Sequence, residues 1–157
     1  MITGELAQSL EVVRWFNTKA PDLAPALPGK VVVLHAFQML CPACVAHGVP
    51  QAARVQAQFD PAEVAVVGLH SVFEHHEAMT PAALEVFLHE WRIGYPVAVD
   101  RPAAPGEGPV PRTMAALGLR GTPSLLVWDR LGNLRAHHLG EVPDLALGAL
   151  VGRLLAE

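Results

Sequence analysis

The sequence predicts an α/β fold, with a central mixed β-sheet and helices on both of its faces. The apolar run VVVL at 31–34 follows the turn signal PGK and is typical of a strand buried on both sides. A second run, VAVVGL at 64–69, has the same character. A proline suited to the first turn of a helix comes after each run, at Pro42 and at Pro81. This alternation indicates parallel strands joined by helical crossovers.

The composition limits the size and class of the protein. The chain has 157 residues, of which 52% are hydrophobic and 17% charged, and this suits one compact domain with a substantial core. We therefore expect a single domain over residues 1–157, in which residues 1–28 form an N-terminal extension that packs on the core. The net charge is −4 and the basic residues are scattered singly, which argues against a nucleic-acid partner.

Apolar runs and the N-terminal segment bear on the location of the protein. No apolar run approaches the ~18 residues that a membrane-spanning helix needs. The opening MITGELAQSLEVVRWFN carries acidic residues and has no apolar core of a signal peptide. We therefore expect a cytoplasmic protein with no membrane partner. A chain trimmed before residue 1 would leave a periplasmic location open.

Two helices are expected in the first half of the chain. The first begins at Pro42 and continues helix-compatible to Phe59. The second has Thr80 as its N-cap, Pro81 in its first turn, and reaches about Trp91. Apolar residues recur at helical spacing along one face of the second helix, at Leu84, Phe87, Leu88 and Trp91. Both helices therefore have the capping or patterning that packing against a sheet requires.

The second half supplies the remaining elements. YPVAVD at 95–100 is a short third strand, and a short helical segment follows around 112–118. SLLVWD at 124–129 and LRAHHLG at 134–140 flank the turn DRLGN and are expected to pair as a hairpin. A closing amphipathic helix covers about 144–155. The predicted order of elements is βαβαβαββα.

The two cysteines of the chain, Cys41 and Cys44, lie where the first strand passes into the first helix, in HAFQMLCPACVAHG. A thiolate at a helix N-terminus is stabilised by unpaired amide N–H groups and by the positive end of the helix dipole. Cys44 follows one turn later, within reach of the Cys41 sulfur. The spacing predicts that Cys41 is a nucleophile and Cys44 a resolving thiol.

Two other interpretations of the cysteine pair stay open. Free cysteines are among the most buried residues, so both could be small core side chains. The pair could also bind a soft ion such as Cu(I) together with His70 or His75, as a metallochaperone would. A zinc site is less well supported, because four ligands are usual and the sequence has no second CxxC and no H-x3-H motif.

The segments around the cysteines resemble the thioredoxin-fold superfamily. GKVVVLHAF followed by CPAC resembles the strand that leads into the CxxC helix of that fold, and GTPS at 121–124 resembles the loop that carries its cis-proline. DRLGN is similar to its hairpin turn. Within the superfamily the chain is most similar to the TlpA-like or redoxin (AhpC/TSA-like) group. EVVRWFNT at 11–18 and GLHSVFEHHE at 68–77 are similar to segments of DipZ-like and NHL-fused thioredoxin-like domains.

This resemblance implies a thioredoxin-like fold from about Glu11 onward, with an inserted helix between core strands. It also implies a thiol-disulfide oxidoreductase that reduces protein or small-molecule disulfides, with antioxidant and redox-homeostasis roles, and is reset by a thiol reductant system. No bound cofactor and no metal are implied, because the redox group is the Cys41–Cys44 disulfide itself. Thr122 and a cis Pro123 would form the wall opposite Cys41.

The chain departs from the family at several positions. Leu40 stands where TlpA-like members usually have a tryptophan before the first cysteine. His35 stands where thioredoxins keep a buried aspartate, so it is either a proton-transfer group for the resolving thiol or a core histidine. Gln38 stands where peroxiredoxins have threonine or serine, and no partner arginine is evident, which weakens the alternative of a peroxiredoxin-like thiol peroxidase.

His70 and Glu74 are the remaining candidates. They lie in the loop that leaves the second strand at its carboxyl end, the edge where open α/β sheets place their sites. We expect either of them to reach the sulfur or to line the rim of the site.

Overall fold

The computed structural model describes Leu6, residues 10–19 and residues 26–157. Six strands lie within these ranges: β1 (Val12–Phe16), β2 (Val31–Phe37), β3 (Val64–His70), β4 (Val97–Asp100), β5 (Ser124–Trp128) and β6 (Leu134–Leu139). They form one mixed sheet in the order β1-β4-β3-β2-β5-β6. β2 lies in the middle, parallel to β3 and antiparallel to β5. This confirms the predicted α/β class and the mixed sheet.

The helices are α1 (Val49–Gln58), α2 (Pro81–Glu90), α3 (Arg112–Ala116) and α4 (Asp144–Ala156). The helical segment that contains α1 begins at Pro42, as predicted, and includes a π-helical turn over Cys44–Gly48 that the sequence pattern did not indicate. Thr80 caps α2 through a hydrogen bond that its side chain accepts from the Ala83 N–H. None of the helices in the described ranges combines the length and apolarity needed to cross a membrane.

Alternate residues of the strands face two separate cores. On one face, Val31, Val33 and Phe37 of β2 pack with the buried residues of α1, α2 and α4. On the other face, Val32 and Leu34 pack with Met114 of α3 and with N-terminal leucines. Helices therefore cover both faces. Along the chain, α2 is inserted between the core strands β3 and β4, as the family resemblance implies.

β1 is the element that the predicted order lacks. It pairs antiparallel with β4 at the edge of the sheet, with a register shift between Val12 and Arg14. Its side chains are partly exposed, so VVRWF shows neither a continuous apolar run nor clean alternation. The observed order is ββαβαβαββα, because the pairing with β4 stabilises a strand that local pattern does not mark.

Part of the predicted N-terminal extension lies within the described residues. Leu6, Leu10 and Leu27 are buried in the second core. Residues 1–5, 7–9 and 20–25 lie outside the described residues. The extension over residues 1–28 as a whole, and the single domain, stay predictions.

A buried carboxylate holds together the loops at the carboxyl end of the sheet. Asp100, the last residue of β4, accepts hydrogen bonds from the Ser71 hydroxyl (2.8 Å) and from the N–H groups of Thr113 (2.8 Å) and Met114 (2.9 Å). Burial raises the pKa of this carboxyl above its usual value. Asp100 thereby ties the loop after β3 and the start of α3 to the carboxyl end of the strands, which is the end of the sheet where the cysteines lie.

Candidate active site

Cys41 and Cys44 lie beyond the carboxyl end of β2. A turn over residues 38–41 follows the strand, closed by a hydrogen bond from the Cys41 N–H to the Gln38 carbonyl (3.0 Å). The helical segment then begins at Pro42. Cys41 is partly exposed, whereas Cys44 is fully buried in the core. A substrate can therefore reach the first sulfur but not the second.

The two thiols are free and are linked by hydrogen bonds. The Cys44 N–H donates to the Cys41 sulfur (3.4 Å), and the Cys41 thiol donates to the Thr122 carbonyl (3.6 Å). Burial raises the pKa of the Cys44 thiol to about 12, and its hydrogen bond with Cys41 adds to this effect, while hydrogen bonds with Gln38 and Thr122 oppose it. Cys44 therefore keeps its proton at neutral pH.

The Thr122–Pro123 peptide bond is cis, as the resemblance implies. It directly precedes β5, so it is carried by the strand next to β2 in the sheet. Thr122 is partly buried and its carbonyl faces Cys41, as the hydrogen bond shows. Pro123 is buried, and its own carbonyl accepts from the Gly140 N–H (2.8 Å). Thr122 therefore faces the partly exposed cysteine, and the wall that Thr122 and Pro123 would offer a substrate stays a prediction.

The π-helical turn brings Gly48 against the core of the site. Its closing hydrogen bond runs from the Val49 N–H to the Cys44 carbonyl. A Cβ atom at Gly48 would lie 2.8 Å from Cε1 of His35 and 3.2 Å from Cβ of Pro123. Only a glycine lets the helix approach β2 and Pro123 this closely. π-turns of this kind are frequent at functional sites.

Gly48→Ala is expected to destabilise the protein by about 1–3 kcal/mol, because the added methyl group must displace a packed histidine ring or proline. The matched control is Gly152→Ala in α4, where no atom lies within 4 Å of the added Cβ. That change is expected to be neutral or to stabilise by up to ~1 kcal/mol. Urea denaturation of the reduced proteins measures both. Equal stability of Gly48→Ala and the parent chain would contradict the close approach.

His35 lies on β2 beneath the helix that carries the cysteines. It is buried, its ring stacks on Phe37 with centroids 4.8 Å apart, and its Nε2 has no hydrogen-bond partner. Burial lowers its pKa to about 3, so the ring is neutral at neutral pH. Gly48, next to its ring, lies one turn beyond Cys44. The proton-transfer role of His35 stays a prediction.

His70 supports the turn that leads to Cys41. Its Nε2 accepts a hydrogen bond from the Met39 N–H (3.1 Å), so the proton of the neutral ring is on Nδ1. The ring is buried, and burial lowers its pKa to about 4. His70 thus contacts the backbone two residues before the exposed cysteine and positions it through the turn.

Gln38 and Glu74 are joined at the rim. The Gln38 side chain is buried, its Oε1 accepts from the Phe73 N–H (3.1 Å), and its Nε2 donates to Glu74 (3.3 Å). Glu74 is exposed beside Cys41. A groove runs along this rim, and the residues that line it are Gln38, Leu40, Cys41, Pro42, Phe73, Glu74, His75, Met79 and Thr122.

Three residues at the site, Gly48, Phe73 and Met79, are not among those that the sequence pattern predicts. Gly48 could have been flagged as a glycine inside a helical pattern, which often has a packing reason. Phe73 and Met79 carry no local signal, because their place in the groove depends on how the loop after β3 folds back toward Cys41. Within the described ranges, no group of three or more His, Cys, Asp and Glu side chains is arranged to hold a metal ion.

A mixed sheet, a CxxC pair at the start of a helix and a cis-proline opposite it define the thioredoxin-like class of thiol-disulfide proteins. Two solved structures of this class are similar to the chain. A crystal structure of a thioredoxin-like superfamily protein is 56% identical over 94% of each chain, with a TM-score of 0.85. That of a thiol-disulfide isomerase from Corynebacterium glutamicum is 48% identical over 95% of each chain, with a TM-score of 0.87.

The chain belongs to the thioredoxin-like superfamily and is a thiol-disulfide oxidoreductase. The fold extends to more distant structures. The solution structure of a thioredoxin-like protein in its oxidized form is 21% identical and has a TM-score of 0.75, over 95% of this chain and 93% of its own. No protein-family model and no curated protein matches the sequence.

Proposed function

We propose that the Cys41–Cys44 dithiol is the redox group and that it reduces disulfides. The observation that carries the proposal is the division of the pair into a partly exposed sulfur and a fully buried one, whose pKa burial raises. In such a pair the first thiol acts as the nucleophile toward the substrate, and the second thiol reacts only afterwards, when it resolves the mixed disulfide.

The exchange proceeds in two steps. The Cys41 thiolate attacks one sulfur of the substrate disulfide, forms a mixed disulfide and releases the other sulfur as a thiolate, which takes up a proton. Cys44 then loses its proton and attacks the Cys41 sulfur, so that the Cys41–Cys44 disulfide forms and the second substrate thiol leaves. Two electrons pass from the dithiol to the substrate. An external thiol reductant resets the pair, and no bound cofactor is needed.

The surrounding residues have distinct roles in this proposal. Thr122 and Pro123 form the wall along which an extended substrate lies. His70 and Gln38 position the turn before Cys41 and the rim beside it. His35 is the predicted proton-transfer group for Cys44: its ring stacks on Phe37, which packs in the same core as Cys44, and its Nε2 is unpartnered. Burial lowers the pKa of this ring to about 3, which makes it a weak base for the resolving step.

The physiological setting belongs to the proposal as well. We propose a cytoplasmic reductase of protein or small-molecule disulfides, with a role in redox homeostasis, because a dithiol in a reducing compartment works in the reducing direction.

The two alternatives lack support from the contacts. A peroxidase needs polar groups that grip a peroxide, but the side chain of Gln38 is engaged with Phe73 and Glu74, and no described residue that lines the groove is an arginine. A copper site needs an imidazole nitrogen close to both sulfurs. Nε2 of His70 is taken by the Met39 N–H, and among the described residues, His75 included, no three His, Cys, Asp or Glu side chains are grouped to hold a metal ion.

The reduction potential of the pair tests the proposal. The protein is equilibrated with defined ratios of glutathione and glutathione disulfide, and the thiols are counted by alkylation mass. We expect an intramolecular disulfide with a potential of about −220 mV or lower. A much more oxidising value would indicate a disulfide donor in place of a reductase. Failure to form the disulfide at any ratio would overturn the assignment of the pair as the redox group. Cys44→Ser serves as the control that cannot form it.

A further inference from the structure

The groove beside Cys41 carries a single fixed anionic side chain. Besides Glu74, the ionisable residues that line it are Cys41 and His75. None of the described residues that line it is a lysine or an arginine. The carboxylate of Glu74 is exposed and has no cationic partner among the ion pairs of the described residues. A substrate that enters the groove therefore meets an uncompensated negative charge.

The protein holds this carboxylate in place. Gln38 is only 1% exposed, and both ends of its amide are used: the oxygen by the Phe73 N–H and the nitrogen by Glu74. Phe73 directly precedes Glu74, so one buried amide restrains both the backbone and the carboxylate of the rim. A surface glutamate usually samples many rotamers and fixes no position. Glu74 instead presents its charge at the rim of the groove that contains the reacting sulfur.

The other groove residues are mostly apolar. Leu40, beside the nucleophile, is 52% exposed, and Pro42, Phe73 and Met79 complete the apolar lining. Such a surface binds the hydrocarbon part of a substrate without preference for its charge. The charge preference is therefore left to Glu74, whose field acts in a concave site with apolar walls, where screening by water is weaker than on an open surface.

We propose that Glu74 selects substrates by charge: the groove favours disulfides with a cationic group close to the sulfur, as in aminothiol disulfides or peptides with lysine or arginine beside the cysteine. Disulfides with carboxylates near the sulfur, glutathione disulfide among them, are disfavoured. This inference rests on the proposed function, because it concerns which disulfide reaches Cys41. The chemistry is the same exchange described above, and Glu74 contributes attraction or repulsion to its encounter and transition state.

Two small disulfides of opposite charge test the inference. The reduced protein reacts at pH 8 and low ionic strength with cystamine, which carries two ammonium groups, or with 3,3′-dithiodipropionate, which carries two carboxylates. The readout is the ratio of the two rate constants for loss of the Cys41 thiol. Comparing this ratio between variants cancels the intrinsic reactivity of the probes and of Cys41.

Glu74→Gln is expected to lower the cystamine-to-dithiodipropionate ratio of rate constants by about fivefold to tenfold. Cystamine loses an attraction to the carboxylate and dithiodipropionate loses a repulsion, and the two effects add in the ratio. Glu74→Lys is expected to lower it further. The matched control is Glu77→Gln, which removes the same charge from the same loop at a residue outside the groove lining and should change the ratio by less than about twofold. Added salt should shrink the difference between the parent chain and Glu74→Gln.

The outcomes separate the inference from the proposed function. An unchanged ratio in Glu74→Gln, or an equal change in Glu77→Gln, would overturn charge selection by Glu74 while Cys41 still reacts. If neither probe consumes the Cys41 thiol of the parent chain, the proposed redox role of the pair fails first.

Discussion

Cys41→Ser is expected to lower disulfide reductase turnover by about a thousandfold or more, because the serine hydroxyl is not ionised at neutral pH and cannot replace the thiolate as nucleophile. Cys44 does not rescue the reaction, since its sulfur is fully buried and burial raises its pKa to about 12. Turnover of an insulin-type protein disulfide in the presence of dithiothreitol measures the loss.

Cys44→Ser is expected to behave differently, and the contrast identifies the two roles. Cys41 still attacks, but nothing resolves the mixed disulfide, so a covalent adduct accumulates. Intact mass shows it as an addition of one substrate half, which disappears on reduction. An adduct that forms equally well in Cys41→Ser would mean that Cys44 is the nucleophile. That result would contradict the order of events drawn from their burial.

Acid is expected to destabilise the protein strongly through two buried histidines. Burial lowers the pKa of His35 to about 3 and that of His70 to about 4. Both values lie below the unfolded value of about 6.5, so the unfolded chain binds protons first as the pH falls. The stability that both rings contribute is fully present above pH ~6.5 and is lost toward the folded pKa values. At pH 5 the expected loss is about 2 kcal/mol for each histidine.

Urea denaturation between pH 7 and pH 5 checks this dependence. His70→Gln keeps an acceptor for the Met39 N–H but does not titrate, and His35→Leu removes the unpartnered ring nitrogen, so each variant should flatten the curve by about half. Asp100 acts in the opposite direction, because its raised pKa favours the folded state as the pH falls. Its contribution cancels when each variant is compared with the parent chain. A parent curve that is flat, or one that neither variant changes, would contradict the prediction.

The fold illustrates which elements a local pattern can specify. β2 and β3 were predicted because both faces of these strands are buried, so their sequences are almost continuously apolar. The start of α2 was predicted because Thr80 and Pro81 act within one helical turn, and the observed cap is the expected one. β1 could not be predicted, because its exposed side chains carry no alternation and its stability comes from β4, more than eighty residues away.

The candidate site divides in the same way. The cysteine spacing predicted a nucleophilic and a resolving thiol, and the resemblance carried by the TPS motif predicted the cis peptide bond at Pro123, which the structure has. The partners of His70, Gln38 and Glu74 were not predictable, because each contact joins segments that lie more than thirty residues apart.

The sequence by itself determined the class of fold and the helix that presents Cys41, and it predicted the thiol chemistry proposed for the pair. These depend on short-range physics: apolar periodicity, helix capping and the one-turn separation of two sulfurs. Only the tertiary structure decided that Cys44 is buried and protonated, that Gly48 must lack a side chain, and that Glu74 is held beside the nucleophile. These properties depend on burial and on contacts between distant segments, which exist only when the sheet brings the ends of its strands together.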